Sequence, residues 1–287
     1  MSVQQQQQQQ QQNQQHQVMP NRDSVPTGPV TYQAELISFM AVNNNHLSDI
    51  SKILENSTRF DMEELKLAYA MANSTDMRIW LRSNRGILFL NGSGDMTAAR
   101  ETPISASLAS LVFRIPENPR TIVLHFFCGL HSESNQAVCG PKGLMRSLIA
   151  QLSLEYDFNL AFISSQAYRD GIRDHDMQAL CETFSAMVSQ LPADYELYCI
   201  LDGISWLETP HWQDNLVATV AYICYLSVDP HCQARFKLLI SSPVRSLLLT
   251  RELRQYGELV NVVEVHSMRL TERDMPTERE LMERTRR

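Results

Sequence analysis

Four unbroken apolar runs and a weaker fifth constrain this chain more than any other feature. They are Gly86-Ile87-Leu88-Phe89-Leu90, Thr121-Ile122-Val123-Leu124-His125-Phe126-Phe127, Leu197-Tyr198-Cys199-Ile200-Leu201, Phe236-Lys237-Leu238-Leu239-Ile240 and Val262-Val263-Glu264-Val265. A strand with one wet face alternates apolar and polar residues, whereas a strand covered on both faces is apolar throughout, as in parallel sheets. Between the runs, apolar residues recur at helical spacing. Met177, Leu180, Cys181, Phe184, Met187, Val188 and Leu191 share one face, as do Leu144, Leu148, Ile149 and Leu152. Trp212, Leu216, Val220, Ile223 and Leu226 make a third such set. Strands joined by helical crossovers form right-handed βαβ units, so the expected fold is α/β: a three-layer, doubly wound, mostly parallel sheet of about five strands.

The flanking segments are different in kind. Gln4 to Gln12, continued by Gln14, Gln15 and Gln17, is a polyglutamine tract with no apolar surface to offset chain entropy, and it is expected to be disordered. Pro20, Pro26, Gly28 and Pro29 punctuate a linker. From Tyr32 onward Leu36, Ile37, Met40, Leu47, Ile50, Ile53 and Leu54 return to helical spacing, and Asp61-Met62-Glu63-Glu64 reads as a helix start with Asp61 as cap. Ile79-Trp80-Leu81 forms an apolar cluster just before the first strand. The expected division is a tail at 1–31, a helical extension at 32–84, the α/β domain at 85–270 and a charged tail at 271–287, where Pro276 interrupts a mixed-charge helix pattern.

A formal charge of −7 argues against a general nucleic-acid or anionic-membrane surface. No apolar stretch approaches the roughly 18 residues of a membrane-spanning helix, and the N-terminus lacks the basic and apolar regions of a secretory leader. Of the six cysteines, Cys181, Cys199 and Cys224 fall inside apolar patterns, where a reduced thiol acts as a small hydrophobe. The expected compartment is reducing and intracellular, the cytoplasm, with no membrane and no nucleic-acid partner.

Ligands of a doubly wound sheet sit at the carboxyl ends of its strands, so the residues there are the candidate site. After the first run comes Asn91-Gly92-Ser93-Gly94-Asp95-Met96-Thr97-Ala98-Ala99-Arg100-Glu101. A phosphate loop needs G-x-x-x-x-G-K-[ST], in which backbone amides cradle phosphates, Lys neutralises their charge and the hydroxyl binds Mg²⁺. Counted from Gly92, the last three positions hold Thr97, Ala98 and Ala99; counted from Gly94, they hold Ala99, Arg100 and Glu101. Neither register carries the Gly-Lys-Ser/Thr set, so the segment reads as an ordinary strand–helix turn in preference to a nucleotide cradle. Asp202 ends the third run as either a Mg²⁺-holding acid or a turn cap, and Gly203 follows it, with the next acid at Glu208. Ser241-Ser242-Pro243-Val244-Arg245 ends the fourth run, either as a segment touching a γ-phosphate or as a turn with Ser242 capping a helix. Gly140-Pro141-Lys142-Gly143 opens a helix and offers free amides and one Lys to an anion. His125, Cys128, His131 and Cys139 are four possible zinc ligands at a spacing that matches no common zinc knuckle, and Cys128 with His131 lacks a third group to orient a nucleophile.

Taken in order, Ile79-Trp80-Leu81, Leu88 to Gly92, Val123 to His131, Gly143 to Leu152, Cys199 to Ile204 and Lys237 to Pro243 resemble the nephrocystin-type, NACHT-related STAND P-loop NTPase domains of fungi. The resemblance spans roughly Thr58 to His266. It implies a five-stranded P-loop domain with a Walker A segment at Gly92 to Glu101, Walker B at Asp202 and a sensor at Ser242 and Arg245, coupling nucleotide state to oligomeric assembly. Set beside that pattern, the chain is expected to be a degenerate member: a non-hydrolytic regulatory or protein-interaction domain whose remnant site comprises Gly92, Gly94, Arg100, Asp202, Ser242 and Arg245. No catalytic residue and no cofactor is expected. Two alternatives remain open: a slow hydrolase using Mg-ATP or Mg-GTP, with Arg100 or Lys142 as substitute cation and Asp202 on the metal, and a scaffold that self-associates through the polyglutamine tract and helical extension.

Overall fold

The computed structural model describes residues 29–42, 45–94, 100–115 and 118–265; the polyglutamine tract, Asp95 to Ala99 and the charged C-terminal tail lie outside the described residues. The five apolar runs become β1 (Gly86–Gly94), β2 (Thr121–Phe127), β3 (Glu196–Asp202), β4 (Arg235–Val244) and β5 (Val260–Glu264). They form one sheet in the order β2-β3-β4-β1-β5, with every neighbouring pair parallel.

The helices are α1 (Pro29–Met40), α2 (Asn45–Asn56), α3 (Met62–Ala72), α4 (Thr75–Arg82), α5 (Pro103–Arg114), α6 (Gly140–Glu155), α7 (Gln166–Arg173), α8 (Met177–Val188), α9 (Gln213–Val228) and α10 (Leu247–Leu253). Because successive strand residues point to opposite faces, each apolar run feeds two cores. Ile87, Phe89, Leu124, Phe126, Leu197, Cys199, Phe236 and Leu238 pack with Leu144, Leu148, Leu180, Phe184, Val220 and Ile223 of α6, α8 and α9. Leu88, Leu90, Tyr198, Ile200 and Leu239 face the other way, toward Met71, Met77, Trp80, Ile104 and Leu108 of α3, α4 and α5. Ile50 and Ile53 of α2 join Ala106, Ala109 and Phe127 on that side. The three layers follow directly.

Local signals set the helix boundaries. Asp61 accepts from the Glu64 amide while the Glu64 side chain accepts from the Asp61 amide, a complete capping box. The Ile79-Trp80-Leu81 cluster belongs to α4, capped by Ser74. The Trp80 indole N–H donates to the Leu238 carbonyl at 3.1 Å, which fastens this helix to β4.

Two further features tie the periphery to the sheet. The strand order leaves β2 at an edge, where backbone groups lack a neighbouring strand. There the Gln151 amide of α6 accepts from the His125 N–H at 3.0 Å and donates to the His125 carbonyl at 2.8 Å, standing in for the missing strand. The last carbonyls of α1 would also lack intrahelical donors. Buried Arg146 caps this end, donating to Met40 O at 2.7 Å and Ala41 O at 3.1 Å, and also donates to Ala137 O at 3.0 Å in the loop before α6. His175 Nε2 adds a contact to Phe39 O at 2.9 Å.

Candidate functional site

Strand order brings the carboxyl ends of β1, β4 and β3 side by side, so Asn91 to Gly94, Ser241 to Val244 and Asp202 are neighbours. Gly92 and Gly94 lie within β1, which runs four residues beyond the apolar segment ending at Leu90. Asn91 pairs with Ser242 and Gly94 with Val244, with a register shift between them. The continuation depends on glycine: a Cβ on Gly92 would stand 2.3 Å from the Pro243 carbonyl oxygen and 2.6 Å from that of Ser242. The stretch from Asp95 to Ala99, which holds the Lys position counted from Gly92, lies outside the described residues.

Asp202 is 2% exposed. Its Oδ1 accepts from Ser241 Oγ at 2.5 Å, and the same hydroxyl accepts from the Gly203 amide at 3.0 Å. Burial pushes the Asp202 carboxyl above the ordinary carboxylate range, partly offset by hydrogen bonds from Ser105, Ser241 and the Gly203 amide. Gly203 adopts a left-handed φ of 68°, turning the chain into the short helical segment Ile204–Leu207. Cys128 sits near this carboxyl; burial and then the Asp202 charge raise its thiol well above its usual value. It is therefore held protonated and is a poor nucleophile.

Ser242 is fully buried and donates to the Val244 carbonyl at 2.5 Å. The helix after β4 starts at Leu247 and its cap is Ser246, not Ser242, because β4 continues to Val244. Arg245 is exposed between the two. The Arg100 guanidinium lies 5.0 Å from the centre of the Trp206 ring, and its carbonyl backs onto Gly129. The Trp206 indole N–H and the Ser205 hydroxyl are buried and have no hydrogen-bond partner among the described residues. The Lys142 side chain is exposed at the start of α6, and Cys139 precedes that helix without a side-chain cap.

Sequence reasoning missed how these ends are joined. Asn91, 1% exposed, donates to Glu264 Oε1 at 3.0 Å and accepts from the Ser246 amide at 3.1 Å. The Ser246 hydroxyl bonds Glu208, whose carboxyl is raised by burial. Asn91 thus links β1 to β5 and to α10. An Asn directly after an apolar run was the available signal, but its partners are more than 150 residues away in sequence.

The four possible zinc ligands do not converge. His125 Nε2 contacts the His46 carbonyl at 3.1 Å, while His131 Nε2 pairs with Asp49 at 2.7 Å. Among the described residues no group of three or more His, Cys, Asp or Glu is placed to hold a metal ion. Among them, too, no helix is long and apolar enough to cross a membrane.

An all-parallel five-stranded sheet with a glycine-bearing β1 end, an Asp at the end of β3 and a Ser pair near the carboxyl end of the intervening β4 defines a P-loop-like α/β domain. Residues 70–242 match the family model described as nephrocystin 3, N-terminal, and the chain belongs to that family. Comparison with curated proteins finds no match.

Proposed function

We propose that this chain is a non-hydrolytic member of its family, a P-loop-like scaffold serving regulation or protein interaction. The observation that carries the reading is the state of Asp202. A Mg²⁺-holding acid keeps lone pairs available to the ion's water shell. Here the carboxylate is buried and tied to Ser241 at 2.5 Å. Three further features support it. Either count of the glycine-rich segment lacks the Lys and the Mg²⁺-binding hydroxyl. The Gly92 backbone is packed against the Pro243 carbonyl, in the sheet, where a cradle needs free amides. Arg100, one of the two substitute cations, lies over the Trp206 ring. These residues do not fit a Mg-nucleotide, and phosphoryl transfer depends almost entirely on positioning and electrostatics.

Regulation or scaffolding is what a retained fold without that chemistry leaves. Calorimetric titration with Mg-ATP and Mg-GTP is expected to show no saturable heat. Micromolar affinity for either nucleotide would overturn this reading, and measured turnover that is lost in Asp202→Asn would instead establish the hydrolase.

A further inference from the structure

A cavity of about 490 Å³ opens at the opposite end of the sheet from the strand-end site. It lies between α4, α5 and the amino ends of two strands, since Thr121 is the first residue of β2 and Glu196 the first of β3. The volume is in the range of pockets that enclose small ligands, about 300–1,000 Å³. Met77, Leu81, Leu108 and Leu111 supply an apolar wall, and Tyr198 part of the rest. The Met77 thioether adapts to irregular apolar shapes.

The polar residues decide what could occupy it. Glu196 is the acidic residue of the lining, and its charge is already compensated. It lies 3.0 Å from Arg235 and 4.0 Å from buried Lys237, and it accepts from the Tyr198 hydroxyl at 3.3 Å. Lys237 is itself fixed, donating to Leu81 O at 2.8 Å and to the Tyr198 hydroxyl at 3.0 Å. Nearby Arg120 is paired with Asp194 at 2.7 Å. Arg114 is also in the lining, is exposed, and has no ion pair among the described residues. The mouth therefore offers a free guanidinium beside an apolar chamber.

We propose that this cavity binds a small amphiphile: an apolar body inside the chamber, ending in a carboxylate that pairs with Arg114. Guanidinium and carboxylate match in charge and fork geometry. An alcohol of the same body would occupy the chamber without that pair. An amine would meet Arg114 with like charge.

The test is calorimetric titration of the full chain with decanoate, decanol and decylamine, each below its aggregation concentration. Decanoate is expected to bind saturably and tightest of the three. Arg114→Gln, a change at an exposed position, is expected to weaken decanoate about fivefold and leave decanol unchanged. Ser107→Phe, which puts a ring into the lining, is expected to abolish both, with its unfolding transition confirming a folded chain. Absence of saturable decanoate binding, equal affinity for decanol or decylamine, or an unaltered decanoate affinity in Arg114→Gln would overturn the proposal. If Ser107→Phe does not fold, the comparison between the three probes and Arg114→Gln decides alone.

Discussion

The Ser241 hydroxyl donates to Asp202 Oδ1 at 2.5 Å and accepts from the Gly203 amide at 3.0 Å, so one side chain of β4 satisfies both a carboxylate and the turn that follows it. Ser241→Ala leaves two buried polar groups short of a partner. An unsatisfied buried group costs about 1–3 kcal/mol. Denaturant unfolding is expected to show a loss in that range, with the slope of the transition unchanged. A variant as stable as the parent would mean that Asp202 finds other donors.

Two buried ionisable groups should pull the pH dependence of stability in opposite directions. Asp202 is raised by burial above its ordinary 3.8, so the folded chain holds its proton longer than the unfolded chain. Its contribution is present below the ordinary value and is lost as pH climbs through the folded one. His125 is lowered from 6.5 to about 4, chiefly by burial, so the unfolded chain binds the extra proton first. Its contribution is present above 6.5 and is lost as pH falls toward 4, a span worth on the order of 3 kcal/mol. Unfolding curves from pH 4 to 7 should therefore flatten for His125→Gln relative to the parent. Asp202→Asn should remove the opposing fall at the lower end of its window. Profiles parallel to the parent in both variants would contradict the assignment.

Gly92→Ala tests the close approach of β1 and β4. Its methyl group would meet backbone oxygens of Pro243 and Ser242 at 2.3 and 2.6 Å, and backbone in a central strand pair has little room to yield. Overpacking of this kind costs about 1–3 kcal/mol or more. Thermal melts are expected to show a clearly lower midpoint. An unchanged midpoint would mean that β1 leaves the sheet before Gly92.

Rebuilding the phosphate-loop signature should not rebuild the site. Thr97→Gly, Ala98→Lys and Ala99→Ser together restore the sequence counted from Gly92. With Asp202 still bound to Ser241, the triple variant is expected to give no saturable Mg-ATP binding by calorimetry. Recovery of micromolar affinity would show that the loop residues alone had been lost.

How much could be read from the residues depended on the range of the interaction. Runs such as Leu197 to Leu201 announce strands buried on both faces, because that burial leaves no polar position in the run. The Asp61 cap was legible because its partner, Glu64, is three residues away. α7 and α10 were not, because at 8 and 7 residues each spans too few turns for a period to show. The end of β1 was misjudged for a physical reason. Asn91-Gly92-Ser93-Gly94 reads locally as a turn, yet pairing with Ser242 and Val244 holds it extended. At the strand ends Asp202 was legible from its place after an apolar run. Its partner Ser241, and the bridge from Asn91 to Ser246, depend on strand order, which the order of segments along the chain does not specify.

The grip of Arg146 on the end of α1 bears on where the folding unit begins. The segment that matches the family starts at residue 70, inside α3, well after α1 and α2. A chain cut there would strip the Arg146 guanidinium of the Met40 and Ala41 oxygens and open the surfaces that Leu36, Met40, Ile50 and Ile53 cover. Lost hydrogen bonds and newly wetted apolar side chains both cost stability. The packed unit is therefore longer than the recognisable one: it takes in α1 and α2, and the match from residue 70 onward understates how much chain packs together.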